Sequence, residues 1–129
     1  MKRKKLTFYG ESADDDSLVR AVIAGRKTVT ADTVEDYHRG YGELGDGAYA
    51  SGDVIEVFDL KGRPRCVIRA VKVVRIRFGD IPEEVWRGED FASAQAFREC
   101  HRRALAHLDL HDGFELQTLR FELVEVLQA

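Results

Sequence analysis

Ala24-Gly25-Arg26-Lys27-Thr28-Val29-Thr30 follows a stretch of helical spacing and leads into one of extended character. Leu18, Val19, Val22 and Ile23 form the apolar stripe of a short helix. Gly25 can end that helix in a left-handed turn that other residues resist. Lys27 and Thr30 then stand three positions apart on chain that has just left the helix. A cation and a hydroxyl so placed suit an anionic or polar ligand, or activation of the hydroxyl. The plain structural reading is a helix end whose basic residues complement the helix dipole. Spacing alone leaves both open, so the rest of the chain has to be weighed.

The chain has 129 residues, for which one domain over residues 1–129 is the default expectation. Its hydrophobic share of 44% supports a core without metal or disulfide staples. The formal net charge is -3 and the isoelectric point about 5.8. The chain as a whole is therefore not a polyanion binder, and any nucleic-acid contact must come from a local patch. Cys66 and Cys100 both sit in apolar patterns without CxxC spacing, so buried free thiols and a reducing cytoplasm are expected. No apolar run approaches a membrane span. Residues 1–5, Met1-Lys2-Arg3-Lys4-Lys5, read as a solvated basic arm, without the apolar stretch of a signal peptide.

Leu6 and Phe8 alternate with polar neighbours, which predicts a short strand, and Ser12 is placed to cap the first helix with Asp15 in capping-box position. Residues 32–52 are the least regular segment, broken by Gly40, Gly42, Gly45, Gly47 and Gly52. Tyr37, Tyr41 and Tyr49 lie among these glycines, where their rings can stack on bases or pack back on the core. Asp53 to Leu60 predicts a strand, Lys61-Gly62-Arg63-Pro64 a turn, and Arg65 to Phe78 one long strand or two in sequence. Cys66, Ile68, Ala70, Val74, Ile76 and Phe78 share its core face, interrupted by Lys72. On the other face Arg69 lies among valines, and a charge there needs a partner or a ligand. That makes it a cleft candidate.

Further on, Asp80 is placed to cap a short helix with Pro82 in its first turn, and Trp86 to Asp90 reads as that helix's end. Ser93 is placed to cap the last helix, whose stripe is Phe97, Cys100, His101, Ala104, Leu105 and Leu108. Residues 114–127 predict a strand or hairpin arm, and the change of parity at Val124 and Val126 suggests a bulge.

Few constellations carry chemistry. His101 on the apolar stripe reads as a hydrogen-bonded core histidine. His107 and His111 have the spacing of two ligands on one helix face, but Gly113 follows and no third ligand does. No metal or other cofactor is therefore expected. Lys27 with Thr30 remains. Threonine needs a base to take its proton, and a lysine serves if its surroundings favour the neutral amine. Arg26 and the arginine-bearing strand can supply that field, and Glu89 in the Gly88-Glu89-Asp90 turn can act as acid or base.

With these residues in order, the chain resembles an ASCH-domain protein of the PUA-like superfamily over almost its whole length. Gly25-Arg26-Lys27-Thr28-Val29-Thr30 is similar to the family's GxKxxT signature, Gly52-Asp53 through Gly62-Arg63-Pro64 to its central hairpin, and Glu89 with Phe97 and His101 to its helical insertion. The resemblance implies an α+β fold, a small mixed β-barrel with packed helices, and RNA or a modified nucleoside as partner. Small bacterial members deacetylate N(4)-acetylcytidine, which implies catalytic roles for Lys27, Thr30 and Glu89. A longer-chain type acts as a ribonuclease on single-stranded RNA, and this chain's length and Gly-rich segment fit that type better. On that version Lys27 and Arg69 hold the scissile phosphate, Arg26 adds positive field, and Tyr37 and Tyr41 stack bases. A divalent metal would suit such a ribonuclease, although no ligand motif supports one. The small amidohydrolases carry a basic residue two positions after the threonine, whereas this chain has Ala31-Asp32. That exchange disfavours a phosphorylated ligand more than a neutral nucleoside. The alternative to a hydrolase is a non-catalytic RNA- or nucleotide-binding module. A protein-interaction domain has only the acidic isoelectric point in its favour, and the oligomeric state is not legible.

Overall fold

A computed structural model of the chain describes residues 3–40 and 46–129. Tyr41, Gly42, Gly45, Met1 and Lys2 lie outside the described residues, and Lys4 and Lys5, expected in a solvated arm, instead open the first strand. The elements are β1 (Lys4–Thr7), α1 (Ser17–Ile23), β2 (Val29–Thr33), α2 (Val34–Arg39), β3 (Val54–Phe58), β4 (Pro64–Arg77), α3 (Glu83–Gly88), α4 (Ala94–Ala104) and β5 (Glu115–Val126). The strands make one five-stranded sheet in the order β1-β3-β4-β5-β2. Among the described residues only the β1–β3 pair is parallel. The sheet curls into a half-barrel whose edge strands, β1 and β2, do not pair with each other among the described residues. The fold is thus α+β and barrel-like, as expected, but the ring of strands is not closed.

Two register slips between β4 and β5 shape the curl. Between Val67 and Ile68 the partner on β5 jumps from Glu125 to Leu123, so Val124 is the extra residue. Its predicted change of parity is a real bulge, and bulges strengthen local twist. Between Ala70 and Lys72 the partner moves only from Phe121 to Arg120. Val71 is the extra residue there and reverses the parity, so Cys66, Ile68 and Ala70 pack on the α1 side while Val74, Ile76 and Phe78 pack on the α3–α4 side, rather than sharing one core face as expected.

Apolar residues pack on both faces of the sheet. One cluster holds Leu6, Phe8, Val19, Val22, Ile55, Val57, Ile68, Leu119 and Phe121, under α1. The other holds Val29, Ile76, Phe78, Ile81, Val85, Phe97 and Leu116, under α3 and α4. Leu119 and Leu116 belong to opposite clusters because they have opposite parity on β5.

The helix ends follow local chemistry, with three departures from expectation. Gly25 has φ +81°, and its N–H and that of Arg26 return to Val22 O and Ala21 O, closing α1 as a Schellman turn. Ser93 Oγ accepts from Ala96 N and caps α4. Ser12 does not cap α1, which begins only after Asp16. Asp15 instead takes the N–H groups of Glu11 and Ser17 and holds the entry loop. Pro82 rather than Asp80 stands at the N-cap of α3. The segment read as irregular contains α2, whose Thr33 Oγ1 accepts from Asp36 N. That Thr-x-x-Asp spacing was the available signal.

Candidate functional site

The unclosed side of the barrel is a cavity of about 390 Å³, large enough for a nucleoside-sized ligand. Thr7, Phe8 and Tyr9 line it from the end of β1, Thr30, Ala31 and Asp32 from β2, and Asp36 from α2. Lys27 and Glu89 lie at its base, and Phe91, Cys100, His101, Ala104 and Leu105 enter from the helical side. Both sheet edges therefore contribute walls, and the gap between β1 and β2 becomes the site.

Lys27 is buried, with a side-chain exposure of 3%. Its Nζ donates to Val29 O at 2.7 Å and to Glu89 Oε1 at 3.1 Å. The Phe8 ring centroid lies 5.4 Å away, near enough for a cation–π contribution. An ammonium shut away from water needs such partners, and here both come from outside its own segment or across a turn.

Glu89 is brought to Lys27 by close packing between α3 and β2. Thr28 N donates to Gly88 O at 2.7 Å. A Cβ at Gly88 would stand 2.4 Å from Val29 Cγ2 and 2.9 Å from Val29 Cβ, so glycine lets the helix approach this closely. The turn beyond is a second Schellman arrangement. Asp90 sits at φ +68°, its N–H meets Arg87 O, and Phe91 N meets Trp86 O. Glu89 Oε1 also accepts from Ala31 N at 3.1 Å. Oε2 is buried without a hydrogen-bond partner and lies 3.6 Å from His101 Nε2.

His101 is both a hydrogen-bonded histidine of the packed stripe, as expected, and a wall of the cavity. Its Nδ1 is 2.9 Å from Phe97 O, and its ring stacks on Phe97 at 3.9 Å between centroids. Thr30 joins Lys27 and Glu89 as a wall of the same cavity rather than through a direct hydrogen bond. Burial pushes the Asp32 carboxyl up to about 6, against the Thr33 amide and with the help of the Asp36 and Glu89 carboxylates.

Lys27, Thr30 and Glu89, three positions predicted from sequence, thus meet in one cavity. Arg26, Arg69 and Tyr37 are not in its wall. Arg26 is exposed and binds Asp90 at 2.8 Å. Arg69 is half exposed on the outer face of β4, where Glu122 of β5 lies 3.6 Å away. A partner for this charge among valines is present as a cross-strand carboxylate. Tyr37 is buried in the core and donates to Tyr49 O. Asp36, Phe8 and Phe91 were missed as wall residues, because they reach the cavity only through the curl of the sheet. Among the described residues no group of three His, Cys, Asp or Glu side chains is arranged to hold a metal ion. Cys66 and Cys100 are free, and burial pushes the Cys66 thiol up to about 11. No helix among the described residues is long and apolar enough to cross a membrane.

Comparison with known families matches residues 5–125 to the ASCH domain. The chain is similar to the solved structure of protein EF3133 from Enterococcus faecalis V583, with a TM-score of 0.74, 21% identity, and coverage of 100% of this chain and 85% of that one. It is similar to an ASCH domain from Lactobacillus crispatus JV V101, with a TM-score of 0.73, 16% identity, and coverage of 95% and 80%. ASCH from Zymomonas mobilis is more distant, with a TM-score of 0.54, 14% identity, and coverage of 98% and 73%. At these identities the likeness shows the fold alone. A comparison with curated proteins finds no match.

Proposed function

This chain belongs to the ASCH domain family, and on that premise we propose that its cavity hydrolyses the acylated exocyclic amine of a nucleoside. The observation that carries the reading is the buried Lys27–Glu89 contact at 3.1 Å, set in a cavity that Thr30 also lines. Thr30 Oγ1 attacks the acyl carbon, Lys27 in its amine form takes the hydroxyl proton, and the leaving amine is protonated from Glu89. Water then cleaves the acyl-threonine and restores Thr30.

The charge of the wall favours a neutral ligand. Asp32, Asp36 and Glu89 face the cavity with Lys27 and His101, an arrangement that repels a phosphate. Cleavage of RNA asks for cations around the scissile group, and Arg26 and Arg69 stand outside the wall. The aromatic rings of Phe8, Tyr9 and Phe91 offer apolar faces for a base.

Incubation of the protein with N(4)-acetylcytidine, with acetate release as the readout, tests this. Thr30→Val and Lys27→Met should each lower turnover by ~10³-fold or more. Turnover unchanged in either variant would remove the proposed chemistry. No turnover by the wild-type protein, with binding of the nucleoside or of RNA retained, would leave the binding-module reading.

A further inference from the structure

The Lys27–Glu89 contact poses a problem that the proposed hydrolase chemistry must solve. Nζ has to lose a proton before it can accept one from Thr30, yet its neighbours Val29 O and Glu89 Oε1 both favour the ammonium. The second oxygen of Glu89 supplies the answer.

His101 Nδ1 lies 2.9 Å from Phe97 O. A carbonyl only accepts, so Nδ1 carries hydrogen. In the neutral ring, Nε2 is then the bare nitrogen. It faces Glu89 Oε2 at 3.6 Å, and that oxygen is buried without a hydrogen-bond partner. Two acceptors facing each other in a closed site are unfavourable, and one proton between them reverses the sign. We infer that Glu89 is a two-sided proton relay, which moves the proton that Lys27 must lose onto His101 Nε2 and returns it to the leaving amine.

The balance is internal. Ammonium–carboxylate–imidazole, amine–carboxylic acid–imidazole and amine–carboxylate–imidazolium carry the same net charge. Passing among them takes no proton from solvent. In the third form the Lys27 lone pair is available and the imidazolium N–H points at Oε2. Thr30 then bonds the acyl carbon and its proton goes to Lys27. His101 returns its proton to Glu89, and the leaving nitrogen takes that proton from Glu89 as the C–N bond breaks. In deacylation one water hydrogen passes through Lys27 to Thr30 Oγ1 and the other leaves on the carboxylic acid, so the relay ends with the one proton it began with. His101 acts through Glu89 as a positioning residue for that proton.

The surroundings favour this. The ring is clamped against Phe97 with 17° between planes, and Phe91 lies 6.1 Å away. The 3.6 Å separation has to close by about 0.5 Å to reach hydrogen-bond distance. The other ionisable groups lining the cavity are Tyr9, Asp32, Asp36 and Cys100.

The chemical role rests on the hydrolase reading, but the proton sharing can be measured without it. Imidazole ¹⁵N spectra at one neutral pH should show Nδ1 protonated in the wild-type protein. The protonated fraction at Nε2 should fall in Glu89→Gln and rise in Lys27→Met, where the ring becomes the remaining cation beside Glu89. A bare Nδ1, or one ring spectrum common to all three proteins, overturns the relay. His101→Gln, compared on two substrates, gives the functional readout. Amide turnover should fall by ~10²-fold, while turnover of a phenyl acetate ester, which needs the relay to free Lys27 but whose leaving group needs no proton, should fall by only ~10-fold. Equal losses on both substrates overturn the assigned role. If the wild-type protein hydrolyses neither substrate, the hydrolase reading fails and the relay is judged on the ring spectra.

Discussion

Lys27 Nζ and Glu89 Oε1 meet at 3.1 Å across 62 positions of sequence, and both side chains are shut away from solvent. The contact joins the strand edge after α1 to the turn after α3. It is the point at which the helical side of the molecule is locked to the open edge of the barrel.

Removing one partner leaves the other as an unpaired buried charge, which costs more than the pair is worth. Glu89→Ala should therefore lower unfolding free energy by about 3 kcal/mol, read by urea denaturation. Lys27→Met combined with Glu89→Leu should recover most of that loss. A double variant no more stable than Glu89→Ala would show that the contact is not the source of the cost.

Asp32 gives a pH dependence of unusual sign. Burial raises its folded value to about 6, from an ordinary 3.8. Between those values the folded protein binds more protons at this site than the unfolded chain, so its contribution to stability falls as pH rises. Asp32→Asn should stabilise the protein at pH 7 by on the order of 2 kcal/mol. The gain should shrink as pH drops through 6 and vanish below about 4. Thermal melts of both proteins across that range would reveal a pH-independent difference if the argument is wrong.

Gly88 is needed for approach rather than for backbone freedom. An added Cβ would press on the branched Val29 side chain at 2.4 Å and 2.9 Å, atoms that cannot swing aside. Gly88→Ala should cost about 1–3 kcal/mol and displace Glu89 from Lys27. Stability and N(4)-acetylcytidine turnover should fall together. An alanine variant with wild-type melting and turnover would show that the α3–β2 packing has slack.

Arg65 is a buried structural charge remote from the cavity wall. Its Nη1 contacts Asp16 Oδ2 at 2.8 Å and Asp59 Oδ2 at 3.2 Å, and its side-chain exposure is 4%. Arg65→Met should cost about 3 kcal/mol with little change in nucleoside turnover per folded molecule. Asp59 titrates below its usual range: burial pushes upward, but the Arg63 amide and guanidinium, the Lys61 amide and Arg65 outweigh it. Its contribution is full above the usual carboxylate value and is lost as pH falls through the lowered one. Stability of the variant should consequently decline less steeply in acid than that of the wild type.

What could be read from the residues alone was local. The α1 stop at Gly25, the Ser93 cap and the bulge at Val124 each depend on a few neighbouring residues. So does the pairing of Lys27 with Thr30 on chain leaving a helix. Family resemblance pointed to Glu89, but nothing in its own surroundings tied it to Lys27. Arg69 looked like a cleft residue because its partner, Glu122, lies on another strand and enters only through the β4–β5 register. Tyr37 looked available for stacking because α2 went unread. Tertiary structure alone decided that the barrel stays open between β1 and β2, that Phe8 and Asp36 face the same space as Thr30, and that His101 reaches the far oxygen of Glu89. Helix stops and strand parity follow from φ preference and side-chain alternation over a few residues. A cavity at a sheet seam depends on how twist and bulges accumulate over the whole sheet, and no short window of sequence carries that sum.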